Sequence, residues 1–162
     1  MKLLRAFSLT TIGLAVAWSG LALPVRAEEE KVTVDDVAYT IVDGYMVPEP
    51  LTAQPGDPEN GRLVFVNRQL GNCLGCHVVS DLQDQAFQGE IGPSLDGVAD
   101  RLEPGMIRMQ VINPKVINPG TIMPAFFRTH GLHDVLDSFE GKTVLTAQEV
   151  EDVVAYLGTL KE

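Results

Sequence analysis

The sequence predicts an all-α fold of three to four short helices joined by long loops. Two helix starts carry capping signals: Asp57 precedes a proline at the first helical position, and Thr146 stands three residues before Glu149. Apolar residues recur at helical spacing after the second start, and no convincing strand alternation is found after residue 27. These observations together favour the all-α class.

Residues 1–27 have the pattern of a secretory signal peptide. A positive start with Lys2 and Arg5 precedes a mostly apolar stretch over residues 9–23, and Ala27 provides a small residue at the expected cleavage position. A membrane anchor is the alternative, but polar residues interrupt the stretch, which is also shorter than the ~20 residues of a spanning helix. We therefore expect cleavage after Ala27 and no membrane anchor in the mature protein.

The mature chain is strongly acidic. The full sequence has 12 basic and 22 acidic residues and a formal net charge of −10. Cleavage after residue 27 removes three basic residues and no acidic ones, which leaves nine against 22 and a charge of −13. Such a chain repels nucleic acid and anionic lipid headgroups, so we expect neither as a partner. The charge either steers the protein toward a basic protein surface or serves only solubility.

Residues 28–55 are predicted to form an N-terminal arm in front of a domain over residues 56–162. The valines of the arm are scattered among acidic residues, and the two prolines within Val47–Leu51 prevent a helix there. We expect the arm to lie outside the core. It is either an extended segment that follows the domain or reaches a partner, or a loosely ordered leader.

The first predicted helix runs from Pro58 to about Arg68. Gly61 lies inside this helix, at a cost of roughly 1 kcal/mol relative to alanine. The glycine either permits a close contact with another helix or is simply tolerated, and the sequence pattern favours the close contact.

Both cysteines lie in the segment Cys73-Leu74-Gly75-Cys76-His77. This spacing is typical of covalent haem attachment, because two thiols three residues apart can each add to one vinyl group of the porphyrin and the next residue places an imidazole at the iron. A thioredoxin-like redox pair shares the Cys-x-x-Cys spacing, but the βαβ pattern expected around it is missing, and a disulfide here would close a strained loop. The motif therefore predicts one haem c per chain, bound to Cys73 and Cys76, with His77 on the iron.

Pro93 is the predicted hydrogen-bond partner of His77. A metal-bound histidine usually donates its second ring N–H to a nearby acceptor, and the Gly92-Pro93 turn offers a carbonyl group without a competing N–H. The alternative is an ordinary turn proline with no role at the site.

A second helix is predicted over residues 104–112, followed by a loop with three prolines at five-residue intervals. We call residues 112–124 the strap. Pro114, Pro119 and Pro124 restrict its backbone and exclude a regular helix, while asparagines before two of them favour turns. We therefore expect the strap to be rigid and irregular.

The strap carries Met123, the predicted sixth ligand of the iron. A thioether is a weak ligand, so a loop whose prolines reduce the entropy lost on ordering favours its binding. The other candidates lie in the arm, in the second helix or in a predicted surface loop: Met46, Met106, Met109, His130 and His133. Ligation by histidine and methionine raises the reduction potential and leaves no open coordination position, which favours electron transfer over ligand activation.

The C-terminal helix is the clearest predicted element. Thr146 and Glu149 form a capping box. Apolar residues then follow at i, i+3, i+4 and i+7, namely Val150, Val153, Val154 and Leu157. A helix with one apolar face is predicted here.

Several of these motifs resemble class I cytochromes c: Gly61 and Phe65, the Cys73–His77 segment, Pro93, Met123-Pro124 and Tyr156-Leu157. The segments before Cys73, after Gly92 and from Asn118 to Phe126 are also similar to the SoxX family, the small cytochrome subunits of the periplasmic thiosulfate-oxidising Sox complex. The likeness covers roughly residues 57–161. It implies a class I cytochrome c-like domain wrapped around one covalent haem.

The resemblance to SoxX implies a periplasmic heterodimer with a SoxA-like haem subunit. Such a complex is an L-cysteine S-thiosulfotransferase, which joins thiosulfate to a cysteine of a sulfur-carrier protein. This chain would accept electrons and pass them to a downstream acceptor, and we expect no catalytic residue in it, because haem uses both cysteines. A free-standing periplasmic electron-shuttle cytochrome is the alternative, because the haem motifs alone require nothing more; a structural or sensor module is a third, weaker hypothesis.

Overall fold

A computed structural model of the chain describes residues 27–162. The predicted signal peptide lies outside the described residues except for Ala27. In the described range a two-stranded hairpin precedes five α-helices: β1 (Glu29–Val34), β2 (Val37–Val42), α1 (Pro58–Val66), α2 (Val98–Arg101), α3 (Pro104–Ile112), α4 (Pro114–Ile117) and α5 (Ala147–Leu157). Short 3-10 helices lie in the loops at Cys73–Gly75, Ser80–Leu82 and Asp137–Phe139. Among residues 27–162, no helix has the length and apolar character needed to span a bilayer.

The two predicted helix starts are confirmed. Asp57 caps α1, where its side chain accepts a hydrogen bond from the N–H of Glu59 at 2.9 Å. Thr146 caps α5 through the predicted reciprocal hydrogen bonds with Glu149. Helix α1 ends at Val66, somewhat earlier than predicted.

Helices α1 and α5 cross at Gly61. A Cβ atom at this position would collide with the main-chain oxygen of Asp152 in α5, so only glycine lets the two backbones approach this closely. Phe65 and Tyr156 pack against each other across the same pair of helices, with ring centroids 5.5 Å apart and planes inclined by 63°. The close contact predicted for Gly61 is confirmed.

The carboxylate of Asp152 connects α5 to the start of α1. It accepts hydrogen bonds from the N–H of Asp57 at 2.8 Å, from the Asn60 amide at 2.6 Å and from the Gln148 amide at 2.9 Å. Burial alone would raise the pKa of Asp152, but these hydrogen bonds outweigh it and lower the pKa below its usual value. The ionised carboxylate therefore stabilises the helix crossing.

The predicted arm contains a β-hairpin, which corrects the expectation that the mature chain has no strands. β1 and β2 pair antiparallel, with Val34 opposite Val37. Asp35 and Asp36 form the turn with φ angles of +46° and +62°. Positive φ at both central residues is the pattern of a type I′ turn, whose twist suits a two-residue hairpin.

The arm also contributes to the core, so the expectation that it lies outside the core is wrong. Val34, Ile41 and Val47 are buried in one cluster with the apolar faces of the helices. Tyr39 contacts Phe127, which follows the strap, with ring centroids 6.5 Å apart. The division into an arm and a domain between residues 55 and 56 stays a prediction.

A buried ion pair joins α3, α5 and the arm. Arg108 donates through Nε and Nη2 to the two carboxylate oxygens of Glu151, at 2.8 and 2.9 Å. The same guanidinium donates to the carbonyl of Val47 at 2.7 Å, and Glu151 accepts from the N–H of Leu51 at 2.9 Å. Both side chains are 5% exposed. A buried ion pair is tolerated when further hydrogen bonds satisfy both partners, as they do here.

The strap contains a single helical turn, which corrects the expectation that its prolines exclude a regular helix. Helix α3 has the predicted bounds, Pro104–Ile112. Helix α4 then starts at Pro114, which takes the first helical position, where a missing N–H costs nothing. The prolines therefore exclude a long helix but not one turn, and the strap is irregular from Asn118 to Pro124.

Candidate functional site

Cys73, Cys76 and His77 lie on one short turn. The 3-10 helix Cys73–Gly75 follows Asn72, whose backbone is left-handed with a φ angle of +47°. The N–H groups of Cys76 and His77 both donate to the carbonyl of Cys73, at 3.0 and 2.9 Å. This turn fixes the positions of the two thiol-bearing residues relative to the imidazole-bearing residue.

No disulfide joins the two cysteines within the part of the chain that the structure describes. Burial raises the pKa of the Cys73 thiol to about 12. A catalytic or redox cysteine instead needs a lowered pKa, because the thiolate is the reactive form. The environment of Cys73 therefore does not support a thioredoxin-like pair.

The imidazole of His77 is held by the Gly92-Pro93 turn. Its Nδ1 lies 2.7 Å from the carbonyl oxygen of Pro93. A carbonyl oxygen only accepts, so Nδ1 carries the proton and Nε2 keeps its lone pair for a metal. A Cβ atom at Gly92 would overlap the imidazole ring, so glycine is required where the turn passes the ring.

Met123 lies in the irregular part of the strap. Its side chain is half-buried and packs against the core. Its N–H donates to Oγ1 of Thr121 at 3.2 Å, while its carbonyl accepts from Nζ of Lys115 at 3.3 Å. The assignment of His77 and Met123 as iron ligands stays a prediction.

The other candidate ligands are distributed over several elements. Met109 is fully buried in the core, and Met106 is partly exposed on the same helix. Met46 packs against the start of α3. His130 and His133 are exposed in the loop after the strap.

Apolar surface remains partly exposed in the segments that carry the site. Leu70, Leu95 and Met123 pack against the core on one side and are only partly covered on the other. Ile91, which precedes Gly92, is 69% exposed, and Ile122, which precedes Met123, is 77% exposed. A porphyrin bound to the two thiols would cover apolar atoms of this kind, so the residues present fit a covalently attached haem.

Lys115 was not predicted as a site residue, yet its ammonium group contacts two carbonyls of the strap. A lysine in the short segment between two prolines resembles an ordinary surface residue. No spacing rule connects it with the methionine that follows. The contact depends on how α4 and the rest of the strap fold back on each other.

A family model for cytochrome c matches residues 58–161. The chain belongs to the cytochrome c family. Membership implies covalently bound haem c, in agreement with the chemistry of the Cys73–His77 turn. The predicted all-α, class I cytochrome c-like fold is confirmed, with the N-terminal hairpin as an addition.

This cytochrome is also similar to a solved structure, described as the crystal structure of SoxXA from P. pantotrophus. The match has a TM-score of 0.71 and 40% sequence identity, and it covers 82% of this chain and 99% of that chain. It confirms the predicted resemblance to SoxX-like cytochromes. A comparison with curated proteins gave no match.

Proposed function

We propose that this chain is the mono-haem, electron-accepting subunit of a periplasmic complex that couples thiosulfate oxidatively to a cysteine of a sulfur-carrier protein. The 40% identity to SoxXA over 82% of the chain is the observation that carries the proposal. In this proposal residues 1–27 direct export, and the partner is a SoxA-like haem subunit. The chain itself is a redox subunit without a catalytic residue.

Four side chains would hold the haem. Cys73 and Cys76 would form the thioether bonds, and His77 and Met123 would be the axial ligands. Bound haem supplies a one-electron couple between ferric and ferrous iron. The 2.7 Å contact between Nδ1 of His77 and the Pro93 carbonyl supports this assignment, because it leaves Nε2 available to the metal.

The stoichiometry of the coupling supports an accessory role. A thiol and thiosulfate join through a new S–S bond, and the products are the S-thiosulfonated cysteine, one proton and two electrons. A single haem accepts one electron at a time, so this chain must pass electrons singly to a downstream acceptor. Its only two cysteines are the predicted haem attachment residues, so the reacting thiols belong to other chains.

The proposal is tested by reconstitution with a SoxA-like subunit and a carrier protein. We expect thiosulfate to reduce the haem of this chain only when the partner and the carrier are both present, as measured by its absorption spectrum. Mass spectrometry of the carrier measures the thiosulfate adduct in parallel. An adduct that forms equally fast without this chain would refute the proposed role.

The native size of the protein separates the proposal from the free-standing shuttle. We expect this chain to elute with the SoxA-like subunit as one complex. Elution as a monomer in the presence of that subunit, with rapid electron exchange with respiratory proteins, would favour the shuttle instead.

A further inference from the structure

We infer that Lys115 is a positioning residue for Met123, because its ammonium group fixes the strap in the conformation that presents the thioether. This inference rests on the part of the proposed function that assigns Met123 to the iron. It does not depend on the thiosulfate reaction. It assigns a role to a lysine that the haem motifs do not include.

Lys115 contacts the strap at two main-chain oxygens. Its Nζ donates to the carbonyl of Thr121 at 2.7 Å and to the carbonyl of Met123 at 3.3 Å. The hydroxyl of Thr121 in turn accepts from the N–H of Met123 at 3.2 Å. Lysine, threonine and methionine therefore form one local network around the backbone of the predicted ligand.

Main-chain hydrogen bonds hold the chain on either side of residues 122–125. The N–H of Thr121 donates to Asn118 at 3.1 Å, and the N–H of Phe126 donates to Val111 at 3.2 Å. Within the described part of the chain, residues 122–125 form no hydrogen bond between main-chain groups, and Pro124 has no N–H to donate. The backbone of Met123 is therefore held by two side chains: the hydroxyl of Thr121 accepts from its N–H, and the ammonium group of Lys115 donates to its carbonyl.

The charge of Lys115 is directed at these carbonyls rather than at a carboxylate. Among residues 27–162 no carboxylate oxygen lies within 4.0 Å of its ammonium nitrogen. Lys115 lines a cavity of about 260 Å³ between the hairpin and α3, together with Glu30, Tyr39 and Arg128. Charged hydrogen bonds are stronger than neutral ones, so two of them suit the task of holding a loop closed.

The test uses imidazole as an external ligand of the ferric, haem-loaded protein. Imidazole must displace the methionine, so its affinity reports how firmly the strap presents Met123. We expect Lys115→Met to raise the imidazole affinity about tenfold, equal to about 1.4 kcal/mol. Lys115→Arg keeps the charge and the donors, and we expect it to stay within about threefold of the parent protein.

Two further variants make the result specific. Lys142→Met removes another lysine that donates to a carbonyl, that of Ser138 at 3.1 Å, outside the strap, and we expect no change in imidazole affinity. Met123→Ala removes the predicted ligand itself, and we expect an increase larger than that of Lys115→Met. Thermal unfolding of each protein separates a local opening of the strap from a general loss of stability.

The outcomes distinguish the two assignments. An unchanged affinity in Lys115→Met, beside an increased affinity in Met123→Ala, would overturn the role of Lys115 and leave the iron ligand in place. An unchanged affinity in Met123→Ala would remove Met123 from the iron, and the role of Lys115 with it. Equal increases in Lys115→Met and Lys142→Met would also overturn the inference.

If Lys115→Met yields no haem-loaded protein, Lys115→Gln gives the same comparison, because its shorter amide cannot span both carbonyls.

Discussion

At the scale of single residues, the two predicted axial ligands are held in different ways. His77 lies next to the attachment turn, and the carbonyl of Pro93 fixes its ring at 2.7 Å. Met123 lies in a long irregular segment, where its N–H donates to the hydroxyl of Thr121 and Lys115 contacts two carbonyls. We therefore expect Met123 to leave its predicted ligand position before His77 does when the site is perturbed.

Replacement of Met123 by alanine tests this difference. We expect Met123→Ala to lower the reduction potential, by an amount on the order of 0.1 V out of the ~0.8 V that axial ligands span. The sixth position should also become open to external ligands. Redox titration and absorption spectra measure both effects, and an unchanged potential together with an unchanged spectrum would contradict the assignment.

The residues of the site differ in how far sequence predicts them. The roles of Cys73, Cys76 and His77 stay predictions from one short spacing. The contact of Pro93 with His77 was predictable because a metal-bound histidine needs an acceptor. Lys115 was not predictable, because its two contacts arise only from the fold of the strap. The close passage of Gly92 past the imidazole was missed for the same reason.

At the scale of elements, the crossing of α1 and α5 depends on a buried carboxylate. The pKa of Asp152 is lowered below its usual value of 3.8 in the folded protein. A lowered folded-state pKa means that the carboxylate stabilises the fold fully above pH 3.8, and that this contribution is lost as the pH falls through the folded-state pKa.

The variant Asp152→Asn keeps the size of the side chain but cannot ionise. We expect it to be less stable than the parent protein at pH 7, and we expect the difference to shrink as the pH falls below about 4. Urea unfolding at a series of pH values measures this difference. A difference that stays constant from pH 7 to pH 3 would contradict the role given to the carboxylate.

The buried pair of Arg108 and Glu151 fixes the arm to α3 and α5. Removing the carboxylate leaves an uncompensated guanidinium in the core, so we expect Glu151→Met to destabilise the protein by about 3–5 kcal/mol. Denaturant unfolding of the haem-loaded protein measures the loss. The double variant with Arg108→Met should recover much of it, because no buried charge is then left unpaired.

The exposed pair of Arg62 and Asp84 provides the matched control for this experiment. Its atoms lie 3.1 Å apart, but the side chains are 35% and 59% exposed. Exposed ion pairs contribute little to stability, so Asp84→Asn should leave the unfolding midpoint nearly unchanged. Equal losses in Glu151→Met and Asp84→Asn would contradict the buried-charge explanation.

The elements with local end signals were predictable, and those without them were not. α1, α3 and α5 were predicted from caps, prolines and apolar spacing. The hairpin was missed because β1 begins with Glu29 and Glu30 and has only two apolar residues, and because its turn, Asp35-Asp36, lacks the glycine that usually marks a type I′ turn. The alternation of Val32 with Val34, and of Tyr39 with Ile41, was the signal that could have revealed it.

At the scale of the whole molecule, the arm and the helices form one apolar core whose edge is incompletely covered. The partial exposure of Leu70, Leu95 and Met123 is explained if a large flat cofactor completes that core. The central claim is therefore covalent attachment of one haem through Cys73 and Cys76. Cytochrome c family membership and the geometry of His77 both support it.

The intact mass of the exported, purified protein tests this claim most directly. We predict the mass of the chain cleaved after Ala27 plus that of one haem, with the added mass on the peptide that contains Cys73 and Cys76 and with no titratable thiol. A colourless protein with the mass of the polypeptide alone and two reactive thiols would contradict the account.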